Sequence, residues 1–160
     1  MYRNTFLSVM FLACCFNGSL CAQGDAQIYE RTCDAKTYPF SDPSPVATPN
    51  NSYYPYFRFD GFSMQAQEKQ WKMVVLENDY VKLTVTPEIG GKIWGAIDKV
   101  NNKEFVYTNG VVKFRDVAMR GPWTSGGIEF NFGIIGHAPT CSTPIDYLTK
   151  KNVDGSVSCH

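Results

Sequence analysis

The sequence predicts an antiparallel all-β fold, and three observations lead there. The run "VKLTVT" (Val81 to Thr86) alternates apolar and polar residues with period two, the mark of a half-buried strand. Turn-forming pairs, Asn78-Asp79 and Asn101-Asn102, separate short runs rich in β-branched and aromatic residues, as in hairpins. No segment carries the apolar spacing of an amphipathic helix.

The elements follow in order. Residues 1–22 read as a secretory signal peptide. Arg3 supplies the positive end, "FLSVMFLACCF" (Phe6 to Phe16) the apolar stretch, and "SLCAQ" a small-residue cleavage site after Ala22. The alternative is a lipoprotein signal, with Cys15 or Cys21 lipidated in a lipobox-like "LACC". The chain is therefore expected to be exported, to the periplasm or beyond, free or lipid-anchored. The apolar stretch is too short for a mature membrane span.

Residues 23–60 form an extended segment rich in proline and aromatics. The prolines of "TYPFSDPSPVATPNNSYYPYFRFD" (Thr37 to Asp60) leave no helical or strand period. Its aromatics, among them Tyr53, Tyr54, Tyr56, Phe57 and Phe59, are expected to cover a sheet face; a sugar platform is the other use.

Residues 61–160 are assigned to a sandwich domain. "WKMVVLE" (Trp71 to Glu77) is a strand. In "VKLTVT", Val81, Leu83 and Val85 face one way and Lys82, Thr84 and Thr86 the other. "PEIGG" then ends the ladder at Pro87, and Gly90-Gly91 permits a sharp reversal. "GKIWGAID" and "EFVY" form the next hairpin, "GIEFNF" (Gly127 to Phe132) alternates again, and "GSVSCH" begins a last strand. That strand runs out at His160, so the domain is expected to be the front part of a longer one.

Fifteen basic and fifteen acidic side chains cancel in the 160 residues. A neutral chain without a basic run has no general attraction to nucleic acid or acidic membranes. The cysteines outside the signal, Cys33, Cys141 and Cys159, lie far apart, with no CxxC and no metal-ligand spacing. Export would permit one disulfide; buried or unpaired thiols are the plainer expectation. No metal or cofactor is expected, since phosphate loops and clusters of histidine with carboxylates are absent.

"LENDYVKLTVTPEIGGKIWGAIDKVNNKEFVY" resembles the opening hairpins of the galactose mutarotase-like superfamily. Extended through "KFRDVAMRGPWTSGGIEFNFGIIGHAPT", it resembles an uncharacterised secreted branch in which the β-domain precedes tetratricopeptide-type repeats. The resemblance implies an antiparallel β-supersandwich of galactose mutarotase type, truncated here to its N-terminal part. It also implies a carbohydrate partner. Aldose epimerases use a histidine as general acid and a late glutamate as general base. The late glutamate has no counterpart in this chain, so that pair does not transfer.

The chemistry-bearing stretch is "RDVAMRGPWTSGGIEFNFGIIGH", Arg115 to His137. Alternation in "GIEFNF" sends Ile128, Phe130 and Phe132 to the core, and Glu129 and Asn131 to an outer surface. A carboxylate and a carboxamide suit vicinal sugar hydroxyls. Trp123 is a stacking face, and Arg120, like Arg115, is placed to meet a carboxylate or to hold Glu129. Glu129 and His137 are the candidate acid/base pair; Arg120, Trp123 and Asn131 are the candidate substrate-binding residues. The plainer readings are an Arg120–Glu129 ion pair, a core role for Trp123 and a loop role for His137. Glycoside hydrolysis needs two carboxylates about 5–10 Å apart, and Glu88 and Asp116 are the only formal seconds to Glu129. The sequence leaves three functions open: a carbohydrate-active enzyme, a non-catalytic carbohydrate-binding module, and a fragment without autonomous activity.

Overall fold

The computed structural model describes residues 26–40, 61–116, 122–131, 136–137 and 139–160. Nine strands are described: β1 (Gln27–Tyr38), β2 (Gln67–Glu77), β3 (Val81–Thr86), β4 (Lys92–Asp98), β5 (Lys103–Val106), β6 (Val112–Asp116), β7 (Pro122–Thr124), β8 (Thr149–Lys151) and β9 (Val157–Cys159). Two short 3-10 turns, Pro87–Ile89 and Pro139–Cys141, interrupt them, and no α-helix occurs among the described residues. The fold is all-β, as the alternation predicts. The signal segment 1–22 and the Tyr53–Phe59 aromatics lie outside the described residues.

Seven strands form one sheet in the order β5-β4-β3-β2-β1-β6-β7, and β8 and β9 form a separate hairpin. Consecutive strands from β1 to β5 pair antiparallel. The β1–β6 pair is parallel, Thr37 against Val112 and Tyr38 against Lys113, which departs from the purely antiparallel expectation. A parallel pair needs a long return path, and nothing in the local pattern of β6 announces it. β1 lies within the segment 23–60 that the sequence reading sets apart from the sandwich domain. It pairs with β2 from Gln27↔Glu77 to Thr37↔Gln67.

The core lies on the face of β2 that carries Trp71 and Met73, joined by Ile89, Trp94, Val112 and Phe114. Cys33 and Ala35 of β1 pack against it. Trp71 Nε1 donates to Thr37 Oγ1 at 2.9 Å, so the indole's polar edge is satisfied inside. Phe40 packs on Phe114 with centroids 4.7 Å apart and bridges Phe62.

β3 has the predicted bounds but not the predicted one-sided burial. Val81 to Val85 are all half-buried, and Thr86, expected on the solvent side, is fully buried. The reason is register. Val75 pairs with Thr84 and Thr86 with Lys92, so the threonine side of β3 continues the core face of β2. Thr86 Oγ1 donates to Lys92 O at 3.1 Å, which makes its burial tolerable.

Among the described residues of "GIEFNF", Gly127 to Asn131, there is no strand, and only Ile128 bridges, to Ile93. The expected facing is also reversed. Ile128 and Phe130 are 43% and 56% exposed, whereas the Glu129 side chain is only 12% exposed. The antiparallel bridge sets Glu129 opposite Lys92, and opposed residues share a face. Lys92 is on the core side, so Glu129 is too. Phe132 lies outside the described residues.

Candidate functional site: a buried lysine, a glutamate and a histidine

The site grows from the "PEIGG" corner. Pro87–Ile89 makes one 3-10 turn and Gly90 follows at φ 63°. A Cβ at Gly90 would sit 2.5 Å from Thr140 O, so only glycine fits this approach. Gly90 N–H donates to Thr143 O at 2.8 Å, and Ile145 N–H to Pro87 O at 3.0 Å, which ties the 140–145 segment to the corner. The chain leaves the corner at Lys92.

Lys92 is 2% exposed. Its Nζ donates to Thr124 O at 2.5 Å and to Thr124 Oγ1 at 3.1 Å, and stands 5.7 Å from the Trp123 ring centroid. Burial pushes the Lys92 ammonium below the ordinary lysine range, and the nearby Glu129 and Cys141 oppose that shift. Nothing in the local sequence marks Lys92 as a site residue except its place straight after the Gly-Gly corner.

Across from Lys92, the chain turns through Gly126 and Gly127, at φ 86° and 71°. The hydrogen from Gly127 N goes to Tyr107 O at 2.8 Å, and Ile128 and Ile93 exchange bonds of 2.8 and 3.1 Å. A Cβ on Gly127 would collide with the Ile93 carbonyl. Glycine here lets the two backbones meet, and Glu129 follows on the inner side.

Glu129 Oε1 lies 2.9 Å from His137 Nδ1. A carboxylate only accepts, so Nδ1 is the donor of this pair, and in the neutral ring Nε2 is then the acceptor. The other carboxylate oxygen, Oε2, is buried and has no hydrogen-bond partner among the described residues. His137 adopts φ 55°, a left-handed conformation uncommon outside glycine. Its backbone N–H donates to Asn131 Oδ1 at 2.5 Å, which holds that geometry. The Trp123 ring meets the imidazole edge-on with centroids 5.8 Å apart. The His137 side chain is 47% exposed, so the buried part of the cluster reaches solvent through it.

Of the expected site residues, the fold thus gathers Glu129, His137, Trp123 and Asn131. Asn131 Oδ1 also accepts from the buried Cys141 thiol at 3.4 Å, so its oxygen is committed to the loop. Arg120 lies outside the described residues. Arg115 pairs with Trp123 across β6 and β7, but its guanidinium donates to Phe114 O at 2.6 Å and approaches Met64 Sδ at 3.3 Å. Glu88 accepts from the Lys72 N–H at 2.6 Å and serves the corner. The described residues gathered around Glu129, namely Lys92, Trp123, Thr124, Asn131, His137 and Cys141, include no second carboxylate. Cys33 and Cys159 are half-buried thiols. Among the described residues, no group of three or more His, Cys, Asp or Glu side chains is placed to hold a metal ion. No helix there is long and apolar enough to cross a membrane.

The chain is similar to the crystal structure of a TPR-domain containing protein from Parabacteroides distasonis ATCC 8503, with a TM-score of 0.72 and 29% identity. The match covers 81% of this chain and 23% of that one, so this chain spans less than a quarter of that protein's length. A family model described as a domain of unknown function, DUF5107, matches residues 48–160, and the chain belongs to that family.

Proposed function

We propose that this chain is part of an exported, carbohydrate-recognising protein, and that His137 exchanges protons with a sugar hydroxyl while Glu129 orients it. The observation that carries the reading is the 2.9 Å Glu129–His137 contact between a nearly buried carboxylate and a half-exposed imidazole. Such a partner fixes the Nδ1–H tautomer and leaves Nε2 to take or return a proton. Glu129 is thereby a positioning group rather than the second half of an acid/base pair acting directly on sugar. Trp123, half-buried beside His137, offers ring surface for a pyranose. The resemblance of the Leu76–Tyr107 hairpins to mutarotase-like domains supports carbohydrate as the ligand class. It also supports a larger β-supersandwich, and the TPR-domain relative supports a longer protein around this unit.

A second reading, a non-catalytic carbohydrate-binding module, is favoured by the lack of a second carboxylate among the residues described around Glu129. Titration with a panel of reducing hexoses and hexuronic acids, with polarimetry of anomeric exchange, separates the two. Exchange that His137→Ala abolishes supports proton transfer. Binding without exchange, weakened by Trp123→Ala, supports the module. No binding by either the chain or the longer protein would sink both.

A further inference from the structure

Lys92 and Glu129 are neighbours in the ladder with no hydrogen bond between them. The Ile93–Ile128 bridge sets them opposite one another on the core face. Glu129 spends one oxygen on His137, and the other is buried with no hydrogen-bond partner among the described residues. A carboxylate in that state is costly unless a cation stands near. Among the described residues, Lys92 is the buried cation on that face, and Thr124 fixes its ammonium through two contacts. The chain of groups is then Thr124, Lys92, Glu129, His137, running from the interior to the surface.

We infer that Lys92 is a positioning residue of this site: its ammonium holds in place the Glu129 carboxylate that fixes the His137 tautomer. The inference rests on the reading of Glu129 and His137 as an acting pair, and it deepens that reading by adding a residue that never touches the ligand. The titratable groups facing Lys92 are Glu129 and the Cys141 thiol, and His137 faces Glu129. Cys141 is hydrogen-bonded to Phe130 O and Asn131 Oδ1, which leaves Glu129 as the group for Lys92 to hold. Thr86, from β3, presents a hydroxyl bonded to the Lys92 carbonyl and adds no charge.

Nuclear magnetic resonance of the side chains tests this without any ligand. Ring-nitrogen shifts report the His137 tautomer, and the Lys92 ε-carbon reports its titration. In the wild type, neutral His137 is expected as the Nδ1–H form. Lys92→Met should turn it into a mixture of tautomers, and Lys92→Arg should restore the single form. Glu129→Gln should lower the Lys92 titration midpoint by about half a pH unit or more, because coupling between two sites is reciprocal. If Lys92→Met lowers the melting temperature but leaves the tautomer single, Lys92 is only an anchor for Thr124 and the inference falls. If Lys92→Met does not fold, the Glu129→Gln arm decides, and an unmoved Lys92 midpoint overturns the inference. A sugar panel that draws no binding while both couplings appear retires the carbohydrate reading alone.

Discussion

Two ends of one sheet face solve burial in opposite ways. At the Trp71 end the face is apolar, with Trp71, Met73 and Phe114 each 3% exposed and one internal hydrogen bond to Thr37. At the Lys92 end, only a few residues away through the β2–β3–β4 ladder, the buried groups are Lys92, Thr86 and Thr124, with Glu129 alongside. Apolar burial contributes stability in proportion to area. Buried charge does the reverse unless it is paired, and even then a hydrophobic replacement is often as stable. The first end therefore holds the fold. The second carries a stability cost, and the one role on view for it is the half-exposed imidazole at its edge.

The comparison can be broken most sharply at Trp71. Trp71→Ala should cost about 3–5 kcal/mol in a urea melt, the usual range for removing a buried large aromatic. A loss under about 1 kcal/mol would mean that the apolar end does not hold the fold. Thr37→Val comes next. It strands the indole N–H and should cost about 1–3 kcal/mol, while Trp71→Phe in the same background should recover part of the loss.

The Lys92 end is sharpened by pH. Its folded pKa is depressed, so over the window from that depressed value up to the ordinary lysine range the unfolded chain binds a proton that the folded chain has released. Stability from this group therefore rises with pH across that window. Lys92→Met should lack the rise. Tyr147, pushed up to about 12 by its bond to Glu30, and Tyr29, raised by Glu77, act in the opposite sense. Their contributions are present below the ordinary tyrosine range and fade as pH climbs toward the raised values. Subtracting variant from wild type, melt by melt, cancels them. A flat difference would mean that Lys92 is not desolvated.

The smallest effect belongs to the surface. Tyr29 donates to Glu77 Oε1 at 2.9 Å, and that hydroxyl, ahead of Lys99, holds the Glu77 carboxyl below the usual range. The contribution is present above the ordinary glutamate pKa and is lost as pH falls through the depressed value. Tyr29→Phe should cost under about 1 kcal/mol at neutral pH and nothing at the acid end. An equal loss at both ends would point to packing instead.

Legibility in the sequence follows the range of the physics. Strand β3 was readable to the residue because alternation and turn signals are local. β2 is legible from Trp71 onward, although pairing with β1 extends it back to Gln67. β1 itself was hidden: "QIYERTCDAKTY" mixes charges and apolar residues on both faces, and its place in the sheet comes from partners far along the chain. In the site, Glu129, His137, Trp123 and Asn131 are legible by chemical type, but the alternation points Glu129 outward, whereas its side chain is only 12% exposed.

The sequence by itself determined the all-β class, the bounds of β3, the glycine corner before Lys92 and the clustering of site chemistry between Trp123 and His137. Tertiary structure alone decided which face each group would meet. Side-chain alternation says that Glu129 and Ile128 point in opposite directions, but not which direction is inward. That choice came from the Ile93–Ile128 bridge and the glycines that allow it, which set Glu129 opposite a buried lysine in the register. The parallel β1–β6 pair was decided in the same way. Periodicity is a property of neighbours in sequence, whereas burial and charge pairing belong to neighbours in space.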